Sequence, residues 1–133
     1  MNRSALIIAS VALLAAPSAS RAAAQVVVAP PGSQLTGVYL APVTLAVQAQ
    51  PVTFVNLDVA ATAPHNIKAV DYGPNNAPWC GSYPSGKCPL FVSDLVPAGG
   101  TSTADLRNTA TGETYQFVCT LHPSMTGSLM VVA

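Results

Sequence analysis

The sequence predicts an all-β sandwich or barrel, on three observations. Short β-branched apolar runs recur at close intervals, several with strict alternation. Turn residues punctuate them: 12 prolines and 9 glycines are spread along 133 residues, and proline breaks helix interiors. Beyond residue 24, no stretch keeps an apolar period near 3.6 for long enough to make a packed helix. Composition narrows the classes further. Half the residues are hydrophobic and 8% are charged, which excludes a disordered chain. Five basic residues balance five acidic ones, so there is no surplus for a nucleic-acid backbone. The length is that of one domain and too short for a TIM barrel.

Taken in order, residues 1–24 read as a secretory signal peptide. Arg3 supplies the positive start, residues 5–16 form an uncharged apolar run, and Ala22-Ala23-Ala24 offers a small-x-small cleavage motif before Gln25. The alternative, a membrane anchor, needs about 20 apolar residues. The remaining domain, 25–133, keeps Lys68, Lys87 and Arg107 against Asp58, Asp71, Asp94, Asp105 and Glu113. Export to the periplasm or beyond implies an oxidising compartment.

Strands are expected at 25–29, stopped by Pro30-Pro31-Gly32, and at 43–49 and 52–59. In the third, Thr53, Val55, Leu57 and Val59 face one way and Phe54, Asn56 and Asp58 the other. Further strands are expected at 67–72, at 102–106 with Ala104 and Leu106 on one face, and at 113–119 with Tyr115, Phe117 and Cys119 on one face. A last strand covers 127–133. Between them, 73–100 is rich in Pro, Gly, Asn and Ser, a long excursion of the kind that is functional or stapled.

The three cysteines are Cys80, Cys88 and Cys119, and the two histidines are His65 and His122. The simplest partition pairs Cys80 with Cys88 inside the excursion, stapling it. Cys119 is then single, and a buried inert thiol would be its ordinary role. Its surroundings argue otherwise. In Cys119-Thr120-Leu121-His122-Pro123-Ser124-Met125, a thiol, an imidazole and a thioether recur at steps of three where a strand gives way to a turn. No carboxylate is among them. Thiolate and thioether select copper, and two His with one Cys and a weak axial Met make a blue-copper site. His65, in Pro64-His65-Asn66, is the only other histidine available. Zinc is the competing metal, but methionine suits it poorly.

These residues resemble the cupredoxins, the type 1 blue copper proteins of the plastocyanin, azurin and pseudoazurin group. The Cys-x-x-His-x-x-Met spacing with Cys-Thr-x-His-Pro is most similar to amicyanin. The resemblance spans nearly all of 25–133. It implies an eight-stranded Greek-key β-sandwich with one type 1 copper ion at one end. His65, Cys119 and His122 would be equatorial ligands and Met125 the axial one, with the Pro64 carbonyl nearby. Asn66 would tie the two ligand loops together, towards Thr120. The excursion with its cysteine pair departs from amicyanin, so amicyanin's partner does not transfer. It would either cover one sheet or add a docking surface near the metal end.

The implied function is single-electron transport between redox partners, not enzymology. Four protein ligands leave no open position for substrate, and both histidines are already used. Partners would dock transiently near His122, through an apolar patch with Pro123 and Pro64, and low charge implies weak steering. A monomer without nucleic-acid partner or lasting membrane insertion is expected. Two alternatives stay open: a copper carrier or storage protein without a redox partner, and a structural sandwich with a vestigial site.

Overall fold

The structure, a computed structural model, describes residues 25–59 and 62–133. The expected signal peptide, residues 1–24, lies outside the described residues. Seven strands form two sheets. They are β1 (Val26–Ala29), β2 (Val38–Val47), β3 (Val52–Asn56), β4 (Lys68–Ala69), β5 (Thr101–Ala104), β6 (Thr114–Val118) and β7 (Thr126–Val132). The smaller sheet has the order β1-β3-β5 and the larger β2-β7-β6-β4. β1 runs parallel to β3, and β2 parallel to β7. The β3–β5, β4–β6 and β6–β7 pairs are antiparallel.

The all-β sandwich is therefore as expected, with differences in detail. The eight strands implied by the resemblance are seven among the described residues. The missing ladder falls at 89–96, which runs beside 65–72 but pairs with it as isolated bridges, His65–Val96, Lys68–Val92 and Tyr72–Pro89, not as a continuous ladder. Pro89 carries no N–H to donate to a ladder. The strand expected at 43–49 starts earlier, at Val38, and its pairing with β7 shifts register between Val38 and Val43. Pro42 sits in that irregular stretch, on the sheet's outer strand, where proline is tolerated. A one-turn helix, α1 (Ser33–Thr36), follows Pro30-Pro31-Gly32 and is flanked by left-handed Gly32 and Gly37.

The inner faces of the two sheets meet over Phe54, Ile67, Phe91, Leu106, Phe117 and Leu129, all fully buried. Tyr39 of β2 bridges the layers, packing edge-on to Phe117 of its own sheet at 4.9 Å and Phe54 of the other at 6.3 Å. Gly127 stands opposite Phe117 in the β6–β7 register, and the ring occupies the space a Cβ would need. Strand directions gather the functional segments at one end. β1, β3 and β6 finish there, and β2, β4, β5 and β7 begin there.

The excursion after β4 carries a 3-10 turn, Pro78–Ser82, and the Cys80–Cys88 disulfide. Cys80, Cys88, Ala77 and Trp79 form a small apolar cluster of their own. Trp79 Nε1 donates to the Pro89 carbonyl at 2.9 Å, and Gly73 N–H to the Cys88 carbonyl at 2.8 Å. These bonds fold the excursion back along its own base. Among the described residues no helix is long and apolar enough to cross a membrane.

Candidate metal centre

Cys119 lies one residue beyond β6, and Met125 one residue before β7. The loop between them closes on itself. Cys119 N–H donates to the Met125 carbonyl at 3.1 Å, His122 N–H to the Cys119 carbonyl at 3.3 Å, and Met125 N–H to the His122 carbonyl at 2.8 Å. Three donor residues are thus held by the backbone of a seven-residue turn. Cys119 and Met125 are fully buried, while His122 is half-buried.

His65 comes from elsewhere. It precedes β4 and is fully buried. Its backbone makes a reciprocal pair with Val96, His65 N–H to the Val96 carbonyl at 3.1 Å and Val96 N–H to the His65 carbonyl at 2.9 Å. Asn66 then joins this arm to the ligand loop. Its Nδ2 donates to Thr120 Oγ1 at 3.0 Å and to the Ser93 carbonyl at 3.0 Å, and its Oδ1 accepts from Thr120 N–H at 2.8 Å. The Tyr39 hydroxyl donates to the Asn66 carbonyl at 2.7 Å.

The outcome is a cluster of His65, Cys119 and His122 whose ligand atoms lie within 4.8 Å of one another. Cys119 Sγ is 3.6 Å from His65 Nδ1 and 3.5 Å from His122 Nδ1. An ion bonded to sulfur at about 2.3 Å and to nitrogen at about 2.0 Å requires S···N separations of roughly 3.5–3.7 Å. Both sulfur–nitrogen separations thus already match chelation of one ion. The donor set of thiol and two imidazoles, beside a buried thioether residue, fits a soft ion such as copper.

Comparison with solved structures decides the fold. The chain is similar to a purple cupredoxin from Nitrosopumilus maritimus, with 20% identity, a TM-score of 0.56, and coverage of 80% of this chain and 98% of that one. The chain has the cupredoxin fold. It is also similar to a Cu(I) form of an amicyanin variant (24% identity, TM-score 0.52, 81% of each chain) and to an oxidised amicyanin variant (23%, 0.53, 81% of each). No family model matches the sequence, and no curated protein matches it.

Burial and the nearby His65 ring lower the pKa of His122, with buried Asp58 opposing, which favours the free imidazole needed for ligation. On this cupredoxin scaffold the sequence reading missed one residue, Asp58. Its Oδ2 lies 3.1 Å from His65 Nε2, on the ring nitrogen opposite Cys119. The same carboxylate accepts from Gly32 N–H at 2.9 Å, Gln34 N–H at 2.8 Å and Ser33 Oγ at 3.1 Å. Burial works to raise the Asp58 pKa, but the bonds from Gln34, Gly32, His65 and Ser33 outweigh it and hold the carboxyl well below the usual range. A signal was present: an acid on the same face as Phe54 and Asn56, seven residues before the remote histidine.

The stapled excursion does not stand apart from this end. A cavity of about 220 Å³ lies where Trp79, Ser82 and Tyr83 face Asn66, Ser93 and Thr120. The excursion therefore flanks the Asn66–Thr120 junction.

Proposed function

We propose that the chain is an exported, periplasmic or secreted, type 1 copper protein that carries single electrons between redox partners. The observation behind this reading is the spacing of His65 Nδ1, Cys119 Sγ and His122 Nδ1, close to that required around one ion. His65, Cys119 and His122 would hold copper, with Met125 as a fourth ligand. Copper bound there would supply a one-electron Cu(II)/Cu(I) couple between a reduced donor and an oxidised acceptor.

The protein's part is to keep the donors still. Cu(II) and Cu(I) prefer different geometries, so donors free to rearrange would slow each transfer. The self-bonded loop and the Asn66 tie restrict such movement. Complete burial of His65, Cys119 and Met125 keeps water out and argues against a carrier that gives up its ion readily. With those four residues as ligands no position would be left open for a substrate, which favours a carrier over an enzyme. Exchange would pass through His122, the least buried ligand. Around it, exposed Leu121 and Pro123 lie in the ligand loop itself. Gly37 packs its backbone on Ser124, and exposed Val38 pairs with Thr126 at the loop's flank. Such an apolar rim suits brief encounters that bury little area.

The test is to add Cu(II) to the purified chain lacking residues 1–24 and record its visible spectrum. An intense thiolate-to-copper band that bleaches reversibly on reduction is expected. A colourless complex, or a band that does not cycle, overturns the reading. Met125→Leu should keep the band and shift the potential.

A further inference from the structure

Asp58 is the one buried carboxylate among the described residues, and packing alone does not account for it. It continues the inward face of β3 after Phe54 and Asn56. Three of its bonds hold the Gly32–Gln34 turn. Both oxygens serve the turn, Oδ1 accepting from Gly32 N–H and Oδ2 from Gln34 N–H and Ser33 Oγ, so the turn itself accounts for part of the carboxylate's use. The fourth bond, to His65 Nε2 at 3.1 Å, is the one the turn does not need. An ionised carboxylate only accepts, so all four groups around it must be donors. His65 must then carry its proton on Nε2, and in the neutral ring Nδ1 is left as a free lone pair. That lone pair faces Cys119 Sγ at 3.6 Å.

The frame around Asp58 is itself fixed. Asn56 Oδ1 accepts from Asp58 N–H at 2.9 Å, and Asn56 Nδ2 donates to the Val96 carbonyl at 2.9 Å. Val96 is also the backbone partner of His65. Asn56, Asp58 and Val96 thus form one chain that grips His65 by ring and backbone together.

We infer that Asp58 is a positioning residue that locks His65 in the Nδ1-ligating tautomer before metal arrives and sets a fixed negative charge behind the site. The second half rests on the copper reading above; the first does not. A negative charge across one imidazole ring favours the more positive Cu(II) state over Cu(I).

The experiment has an arm for each half. In the metal-free protein, nitrogen-15 NMR of the His65 ring should show Nε2 protonated and Nδ1 bare. The opposite tautomer overturns the inference whether or not the protein binds copper. In Asp58→Asn the ring should populate both tautomers, Cu(II) affinity should fall by about 10- to 100-fold, and the redox equilibrium should shift about tenfold towards Cu(I), a rise of ~59 mV. Ser33→Ala removes a bond to the same carboxylate but keeps its charge, so a purely structural role predicts that both variants change alike. An unshifted potential in a folded, coloured Asp58→Asn protein, or an equal shift in Ser33→Ala, overturns the charge effect. If Asp58→Asn does not fold, the tautomer in the unaltered protein still decides. A wild-type chain that gives no coloured copper complex defeats the copper reading and the charge effect, and leaves the tautomer result to stand or fall alone.

Discussion

The two arms of the metal centre are built in opposite ways. The loop from Cys119 to Met125 carries three donor residues and ties itself with three backbone hydrogen bonds inside seven residues. The His65 arm carries one donor and is held almost entirely from afar, by Val96, Asp58, Ser93, Thr120 and Tyr39. Local closure costs little chain entropy, so a short loop can be specified by its own residues. A remote donor can be fixed only when distant segments meet, so its precision depends on the whole sandwich. Damage to the loop should therefore remove the chemistry itself. Damage to the arm should loosen the site by degrees.

The largest effect expected is Cys119→Ser, which removes the thiolate. The coloured band should vanish and no added ligand should restore it; a variant that stays coloured would show that sulfur is not the donor. His65→Gly tests the other arm. Its band should change on loss of one nitrogen and return when free imidazole is supplied, because the pocket built by the surrounding segments persists. Failure of imidazole to restore the spectrum would mean that the arm shapes the loop as well as completing it.

Asn66→Ala cuts the junction between the arms without touching a donor. It leaves the buried Ser93 carbonyl without its partner and removes the bond to exposed Thr120; an unsatisfied buried group costs about 1–3 kcal/mol. A fall in stability of about 1–3 kcal/mol and broadened copper spectra are expected, read by chemical denaturation and visible absorption.

Replacing Cys80 and Cys88 together with Ser should cost about 2–3 kcal/mol through the reopened short loop. If the excursion only flanks the centre, the spectrum stays as it was. A changed spectrum would show that the excursion presses on the Asn66–Thr120 junction.

The smallest effect is expected from Tyr39→Phe, about 1 kcal/mol for the bond to the Asn66 carbonyl. It has a pH signature. Burial, and then the nearby Cys119 charge, raise the Tyr39 pKa above its ordinary value. The folded state thus holds the phenol proton more tightly than the unfolded one. That contribution is complete below the unfolded value of about 10 and is lost as pH rises beyond it. Wild-type stability should fall above that pH, and Tyr39→Phe should flatten the fall.

Much of this was legible in the chain. The run of donors at 119, 122 and 125 stood out because three soft ligands at equal steps have little other use, and the lone remaining histidine pointed to His65. The alternation at 52–59 was readable too, but hydropathy alone would bury Val55, Leu57 and Val59. Leu57 and Val59 are exposed, and Phe54, Asn56 and Asp58 are inside. Polar groups go inside only when partners wait for them, and those partners come from Gly32, Gln34, His65 and Val96. Likewise 89–96 carries apolar residues worthy of a strand, yet its strand pairing with its neighbour is broken into isolated bridges.

By itself, the order of residues determined the β class, the turn positions, the stapled pair Cys80–Cys88 and the chemical kind of the donors. These follow from periodicity, backbone restriction and side-chain chemistry, which act over a few residues. Only the folded sandwich decided that His65 Nδ1 faces Cys119, that Asp58 stands behind it, and that the excursion lies against the Asn66–Thr120 junction. Each of those depends on segments far apart in the chain being brought within hydrogen-bond reach. No local preference encodes that; it is set by how two twisted sheets close over a shared core.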